Sequence, residues 1–238
     1  MMIRNLFIIA GASFVLALAC LSAAAVLVGR DGMANGWDWR NFEKYTQSAR
    51  HDPNAPVLTR TLDWDGSTQL IVGLPVKVIY TQGTVPSVTV YGRQSFTENV
   101  KLESGHLRLD RDQVDLYEAR IEVIAPDVRR FESNGAGKLE VRGYNHPDID
   151  LRISGAGKVE ANGTVQRLKL DISGAGDADL EQLKAADADV NISGAGKADI
   201  FATGNVQADI SGAGSVNLET PPTTLKSNVS GAGRINQD

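Results

Sequence analysis

The tripeptide Gly-Ala-Gly begins at Gly135, Gly155, Gly174, Gly194, Gly212 and Gly231, at spacings of 20, 19, 20, 18 and 19 residues. Apolar or small residues recur six, four and two positions before each first glycine: Ile149, Leu151 and Ile153, then Leu168, Leu170 and Ile172, then Ala188, Val190 and Ile192. The same columns continue through Val206, Ala208 and Ile210 to Leu225, Ser227 and Val229, while Leu139 and Val141, Val159 and Ala161, Ala178 and Leu180 follow the glycines at fixed offsets. The intervening positions are polar: Asp150, Arg152, Lys169, Asp171, Asp189, Asn191, Gln207, Asp209. Alternation with period two places one set of side chains inside and the other outside. Each copy therefore reads as strand, bend, strand, return loop, and about nineteen residues suits one rung of a parallel β-solenoid.

The bends are the structural sites expected from this pattern: Gly135 and Gly137, Gly155 and Gly157, Gly174 and Gly176, Gly194 and Gly196, Gly212 and Gly214, Gly231 and Gly233. Glycine reaches backbone angles closed to other residues, and the alanine between the pair is expected to let successive bends stack at the strand spacing of about 4.8 Å. A rung buries about five modest side chains, each worth at most about 1.5 to 3 kcal/mol, against ordering of roughly 1 to 2 kcal/mol per residue. No rung folds alone; contiguous copies supply the missing contacts. Sustained alternation argues against a glycine-rich disordered linker. Unequal rung lengths, with Arg152 in the same column as Asp171, Asn191, Asp209 and Asn228, argue for a solvated face over a calcium-binding roll.

Upstream, Leu70, Val72 and Leu74, then Val76, Val78 and Tyr80, then Val85, Val88 and Val90, alternate with polar residues; Val100 and Leu102, Leu107 and Leu109, Ile121 and Val123 follow. Turn residues at Gly66-Ser67, Gln82-Gly83, Ser104-Gly105 and Pro126-Asp127 separate these short strands. The organisation is thus a leader at 1–30, a linker at 31–60 and a solenoid domain at 61–238, divided into an N-terminal β-region at 61–128 and the repeats at 129–238.

Residues Leu6 to Val28 carry no charge, long enough as a helix for a bilayer core of about 30 Å. Arg4 and the amino terminus put positive charge before the run, whereas Arg30 is offset by Asp31, an orientation that exports the C-terminal bulk. A retained membrane anchor is one reading. Cleavage near Ala23-Ala24-Ala25 is a second, and acylation of Cys20 in Leu16-Ala17-Leu18-Ala19-Cys20 a third. All three place the rest in the periplasm, on the outer face of the cytoplasmic membrane, or at the cell surface. Asp31 to Arg60 is rich in Asn, Asp, Gly and Pro, and its Trp37, Trp39, Phe42 and Tyr45 suit either an interfacial belt or a short packed helix. Cys20 is the only cysteine, so neither an intramolecular disulfide nor a cysteine metal cluster exists. A net charge of −5 with interspersed signs argues against nucleic acid as a partner.

The segment Ala119-Arg120-Ile121-Glu122-Val123-Ile124-Ala125-Pro126-Asp127-Val128, followed by Glu132 to Val141 and the Ser-Gly-Ala-Gly series, resembles the head GIN domain family (DUF2807), named for an auto-transporter adhesin. The resemblance covers roughly Thr61 to Asn236. It implies a bacterial envelope protein with a β-helical domain behind a signal or anchor, and it carries over no catalytic residue. In the first copy Asn134 departs from the pattern, which suggests an inserted residue or a bulge where the solenoid begins.

Candidate chemistry is sparse. His51, His106 and His146 lack metal-ligand spacing. Asp63 with Asp65, and Asp110 with Asp112, put paired carboxylates on one face if extended, as a glycosidase or lyase requires; turn and strand-edge aspartates are commoner. No nucleophile elbow, phosphate loop or dinucleotide fingerprint occurs, so no catalytic, cofactor or metal site is expected. Two functions remain: a non-catalytic envelope module presenting its face to a glycan, a protein or its own copy, and a carbohydrate-active β-helix enzyme. A clustered Asp, Lys and Arg groove favours the enzyme, a uniform face display. The last strand, around Ile235, leaves an unpaired edge that invites self-association or cover by the N-terminal β-region.

Overall fold

The computed structural model describes residues 55–111 and 113–237. The expected leader, most of the linker, His51 and Asp112 lie outside the described residues. The chain is all-β, a parallel β-solenoid whose rungs share two long ladders. The first ladder joins β2 (Gln69–Val72), β8 (Arg130–Gly135), β10 (Asp148–Gly155), the second half of β11 (Lys158–Gly174), the second half of β12 (Asp177–Gly194), β14 (Asn205–Gly212) and β16 (Thr224–Gly231). The second joins β3 (Lys77–Gln82), β9 (Lys138–Asn145), the first halves of β11 and β12, β13 (Lys197–Ala202), β15 (Ser215–Leu218) and β17 (Arg234–Gln237).

The Gly-Ala-Gly bends line up in one column. Gly135, Gly155, Gly174, Gly194, Gly212 and Gly231 are successive register partners, and the backbone ladder runs through the corner: Ala175 N–H donates to Gly155 O at 2.8 Å and Asp177 N–H to Gly157 O at 3.0 Å. The two glycines do different jobs. Gly174 has φ +118°, and a Cβ there stands 2.6 Å from the Gly155 carbonyl oxygen. Gly176 has no positive φ, but its Cβ falls 2.4 Å from Ile153 Cγ2, so the core isoleucine of the preceding rung occupies the missing side chain's place. The alanine, expected to permit stacking, instead points its methyl to solvent; the close approach rests on the glycines.

The expected return loop is a third bonded side. Gly163, Thr164 and Val165 pair with Leu183, Lys184 and Ala185, and the last two pair with Phe201 and Ala202. Val165, Leu183, Ala185 and Ala202 are buried beneath it. Most of the variation in rung length is absorbed before this side; from β12 to the next rung one residue is regained after it, where the pairing passes from Ala185 with Ala202 to Ala188 with Val206. Register slips between Ala161 and Gly163 and between Leu180 and Lys184, whereas no slip interrupts the strands leading into the bend.

The N-terminal β-region enters the stack out of order. β2 and β3 form a rung that is flanked on one side by β6 (His106–Leu109) and β7 (Arg120–Ala125), and on the other by β8 and β9. The chain thus lays down its second rung first, makes the outer one, and crosses back at Pro126–Arg130, where Arg129 N–H donates to Thr68 O at 2.9 Å. The outer rung is capped by antiparallel strands: β4 (Ser87–Gly92) on β7, β1 (Leu58–Leu62) on β4, and β5 (Val100–Glu103) on β6. The single turn α1 (Gln94–Thr97) buries Phe96, and the Arg60 guanidinium donates to the Thr97 and Glu98 carbonyls at 3.0 and 3.1 Å. Tyr80, Phe131 and Tyr144 stack edge to face, with centroids 4.9 and 5.8 Å apart, where the crossing occurs. Tyr80 donates to Ala125 O at 2.8 Å, and Tyr144 Oη reaches the Val128 and Asp148 carbonyls at 3.1 and 2.9 Å, tying the crossing segment down.

Three local expectations are corrected. Asn134 marks neither an insertion nor a bulge: it pairs with Ser154 in unbroken register, and Ser133 takes the inward place of Ile153. Val85, expected inside, is 76% exposed in a turn. The N-terminal β-region does not cover the last rung, since it caps the opposite end.

Substituting Gly135 and Gly174 by alanine separates two costs. Gly135 has φ +109°, but a methyl group placed on its Cα meets no atom within 4 Å, so Gly135→Ala carries only backbone strain of about 1–3 kcal/mol. Gly174→Ala adds the collision with Gly155, and its denaturant midpoint is expected to fall well below that of Gly135→Ala. A second expectation concerns alkali. Burial pushes the Tyr80 hydroxyl up to about 12 from its usual 10.0 and raises Tyr144 as well. The folded state then holds protons that the unfolded state releases. Stability is complete below about pH 10 and falls through pH 12, readable as phenolate absorbance appearing together with loss of the β-sheet signal.

Candidate binding groove on the solenoid face

A groove of about 760 Å³ runs across the first ladder from β2 to β16. Its floor is Ile149, Leu168, Ala188 and Val206, the inward residues nearest the third side, and its rims are the polar residues beside them. Because the strands are parallel and in register, each rim is a column read straight down the stack. One column is Gln69, Arg130, Asp150, Lys169, Asp189, Gln207 and Lys226; another holds Asp148, Arg167 and Asp187. Charge alternates from rung to rung.

That alternation has a physical reason. Identical residues in one column stand about 4.8 Å apart, and like charges directly opposite destabilise a strand pair. Alternation converts the conflict into a ladder of ion pairs, Arg130 to Asp150 at 3.1 Å and Arg167 to Asp148 at 2.6 Å. Burial pushes the Asp150 carboxyl up, but hydrogen bonds from Arg152 and Arg130 outweigh it and hold the group below the usual carboxylate range. Asp187 accepts from the Asn205 backbone N–H at 2.7 Å and from its side-chain amide at 3.0 Å. The groove is a nearly neutral surface dense in oriented donors and acceptors.

The second ladder solves the same problem sideways. Lys77, Lys138 and Lys158 share one column, Glu140, Glu160 and Asp179 the next, and they pair across: Lys77 with Glu140 and Lys138 with Glu160, both at 2.7 Å. The Lys77 and Arg142 partners of Glu140 hold its carboxyl below the usual range. These charges pair with one another across the two columns.

Other candidates scatter. Asp65 spends both oxygens on backbone, accepting from Ser67 N–H at 3.0 Å and Gly105 N–H at 2.8 Å. Asp110 pairs with Arg108 at 2.8 Å. His106 lies on β6 beside Gly73, while His146 Nε2 lies 3.1 Å from Gln82 Nε2 and 3.0 Å from Pro126 O near the crossing. The Arg152, Asp171, Asn191, Asp209 and Asn228 column forms as expected, and Asn191 turns its amide donors toward Asp171 and Asp189, both at 3.3 Å. Glu181, Asp199 and Glu219 bring carboxylate oxygens within 4.8 Å of one another. Asp199 already holds Lys197 at 2.7 Å and accepts from Asn217. The groove itself went unread in the sequence. Its signal was present five and seven residues before each first glycine, visible down the repeats and invisible along any one strand.

Corners built from paired glycines and in-register polar columns define a parallel β-solenoid. The family model described as "Putative auto-transporter adhesin, head GIN domain" matches residues 68–222, and the chain belongs to that family. The fold is shared with the crystal structure of a "putative adhesin" from Bacteroides fragilis, at 19% identity and TM-score 0.66, over 78% of this chain and 99% of that one. A "putative adhesin" from Parabacteroides merdae aligns at 12% identity and TM-score 0.43 over 78% and 97% of the two chains. A "putative lipid binding protein" from Parabacteroides distasonis aligns at 16% and 0.47 over 78% and 98%. No curated protein matches the chain.

Reversing one charge tests the ladder. Arg167→Asp leaves acidic residues on three consecutive rungs with Asp148 and Asp187. It is expected to lower stability by up to about 1 kcal/mol at low salt, and the deficit shrinks at high salt because exposed charges are screened. Denaturant midpoints at two ionic strengths check this.

Proposed function

We propose that the protein is a non-catalytic adhesion module of the bacterial envelope, exported by its N-terminal segment, and that the groove on the first ladder is its adhesive surface. The observation that carries the reading is the continuity of that groove: one apolar floor flanked by alternating guanidinium, ammonium, carboxylate and amide groups over successive rungs. An extended polyhydroxylated chain offers donors and acceptors at every unit, and a surface with both at each rung engages it without demanding net charge. A glycan is therefore the partner of choice, with an extended polar segment of an envelope protein as the alternative. Membership of the adhesin head family supports the reading.

The enzymatic alternative has one observation in its favour, since the groove does gather Asp, Lys and Arg. A general acid must hold its proton near neutral pH, and the Arg152 and Arg130 guanidinium groups hold the Asp150 carboxyl of the groove the opposite way, below the usual carboxylate range. Six equivalent bends and repeating columns also suit presentation over a single reacting centre.

Full-length protein screened against an array of envelope and host glycans is expected to give a specific hit that Lys169→Asp with Arg167→Asp weakens at least tenfold, about 1.4 kcal/mol. Lys138→Ala on the second ladder leaves it unchanged. Equal binding by both variants, or release of new reducing ends from the bound glycan, overturns the proposal, the second result in favour of the enzyme.

A further inference from the structure

The last rung is unlike the others. β16 pairs only with β14 and β17 only with β15 among the described strands. Val229 occupies the inward position above Ile210, which is 2% exposed, yet Val229 is 41% exposed; Leu225 and Ile235 are also only partly covered. The opposite end is closed by antiparallel strands and α1, so the two ends are different surfaces and offer no head-to-tail fit. A contact between identical ends must be two-fold symmetric and closed.

The edge fits itself in one register. Thr224 N–H and Ala232 N–H donate back to the preceding rung, so the alternation of a ladder leaves the N–H groups of Leu225, Ser227 and Val229 on the open side. Two copies of β16 laid antiparallel about Ser227 bring those three into mutual hydrogen-bonded positions. Leu225 then faces Val229 of the second copy, apolar on apolar, and Ser227 faces its own equivalent. Lys226, the only charged residue of β16, meets Asn228 and not another lysine. No proline interrupts this edge; Lys226 is the kind of residue that normally discourages such pairing, and only a register that keeps the two lysines apart, as this one does, accommodates it.

We propose that the protein forms a closed two-fold dimer by antiparallel pairing of β16 with β16 of a second copy, centred on Ser227. The two first ladders become one continuous sheet, presenting two copies of the outer face in a single plane.

The experiment uses the full chain in detergent with Cys20→Ser. Paired residues of an antiparallel ladder lie about 5.5 Å apart at Cα, within disulfide reach, so Ser227→Cys is expected to cross-link to dimer under mild oxidation, and Ser193→Cys, exposed on an inner rung, is not. Ser227→Pro removes an N–H that the protomer does not use; it is expected to sediment as monomer, with an unfolding midpoint that no longer rises with protein concentration and that equals that of wild type diluted to monomer. A wild-type chain that remains monomeric over a wide concentration range overturns the dimer. If hydrogen exchange at Leu225 and Val229 is nevertheless slow in that monomer, and deletion of residues 31–54 speeds it, the edge belongs to the chain's own N-terminal segment and the proposal falls. Glycan binding by the monomeric Ser227→Pro variant reports separately on the groove.

Discussion

The fold depends on one close approach, the contact of each bend's backbone with the bend beneath it. A Cβ at Gly174, Gly194, Gly212 or Gly231 stands 2.4–2.6 Å from the carbonyl oxygen of the glycine one rung back, a distance that no side chain tolerates. Removing the side chain lets adjacent rungs meet at ladder spacing through the corner itself, so hydrogen bonding is continuous from one side to the next. The second glycine adds a steric lock, since the isoleucine methyl of the preceding rung fills the space its own side chain leaves. Flat stacking follows, and equivalent residues become vertical neighbours.

Stacking in register has a consequence for charge. A globular surface disperses like charges; a solenoid concentrates whatever occupies one repeat position into a column about 4.8 Å in pitch. This chain meets the constraint in two ways. On the first ladder, sign alternates along the axis, as in Arg130, Asp150, Lys169 and Asp189. On the second, a lysine column and a glutamate column stand side by side and pair across. Charges pair with one another on both ladders, but those of the first flank a continuous groove of about 760 Å³. Function is proposed for the first for that reason.

The rungs also show where variation is tolerated. Bends and the strands feeding them keep strict register, whereas the corner before the third side gains or loses residues between successive copies. A solenoid of this construction elongates or bends at that corner without disturbing the glycine column. The out-of-order entry of β2 and β3 has a parallel logic: a chain that threads its second rung first can close that end with antiparallel strands.

The repeat, the period-two alternation, the inward columns from Ile149 to Val229 and the role of the bends as structural corners were legible in the sequence, because each is a local pattern that stacking merely reproduces. The short strands from Leu70 to Val123 were legible for the same reason. Their order in the stack was not, since pairing β2 with both β6 and β8 depends on contacts between segments tens of residues apart and leaves no periodic trace. The groove was half visible: its residues are plain, but Asp148, Arg167 and Asp187 become neighbours only when rungs are superposed. The third ladder was hidden because Asn145, Thr164, Lys184 and Phe201 share no residue type, and backbone pairing there is imposed by the register of the two sides already formed. Local chemistry determined what a rung is; only the tertiary stack decided which rung lies beside which, and therefore which charges share a groove.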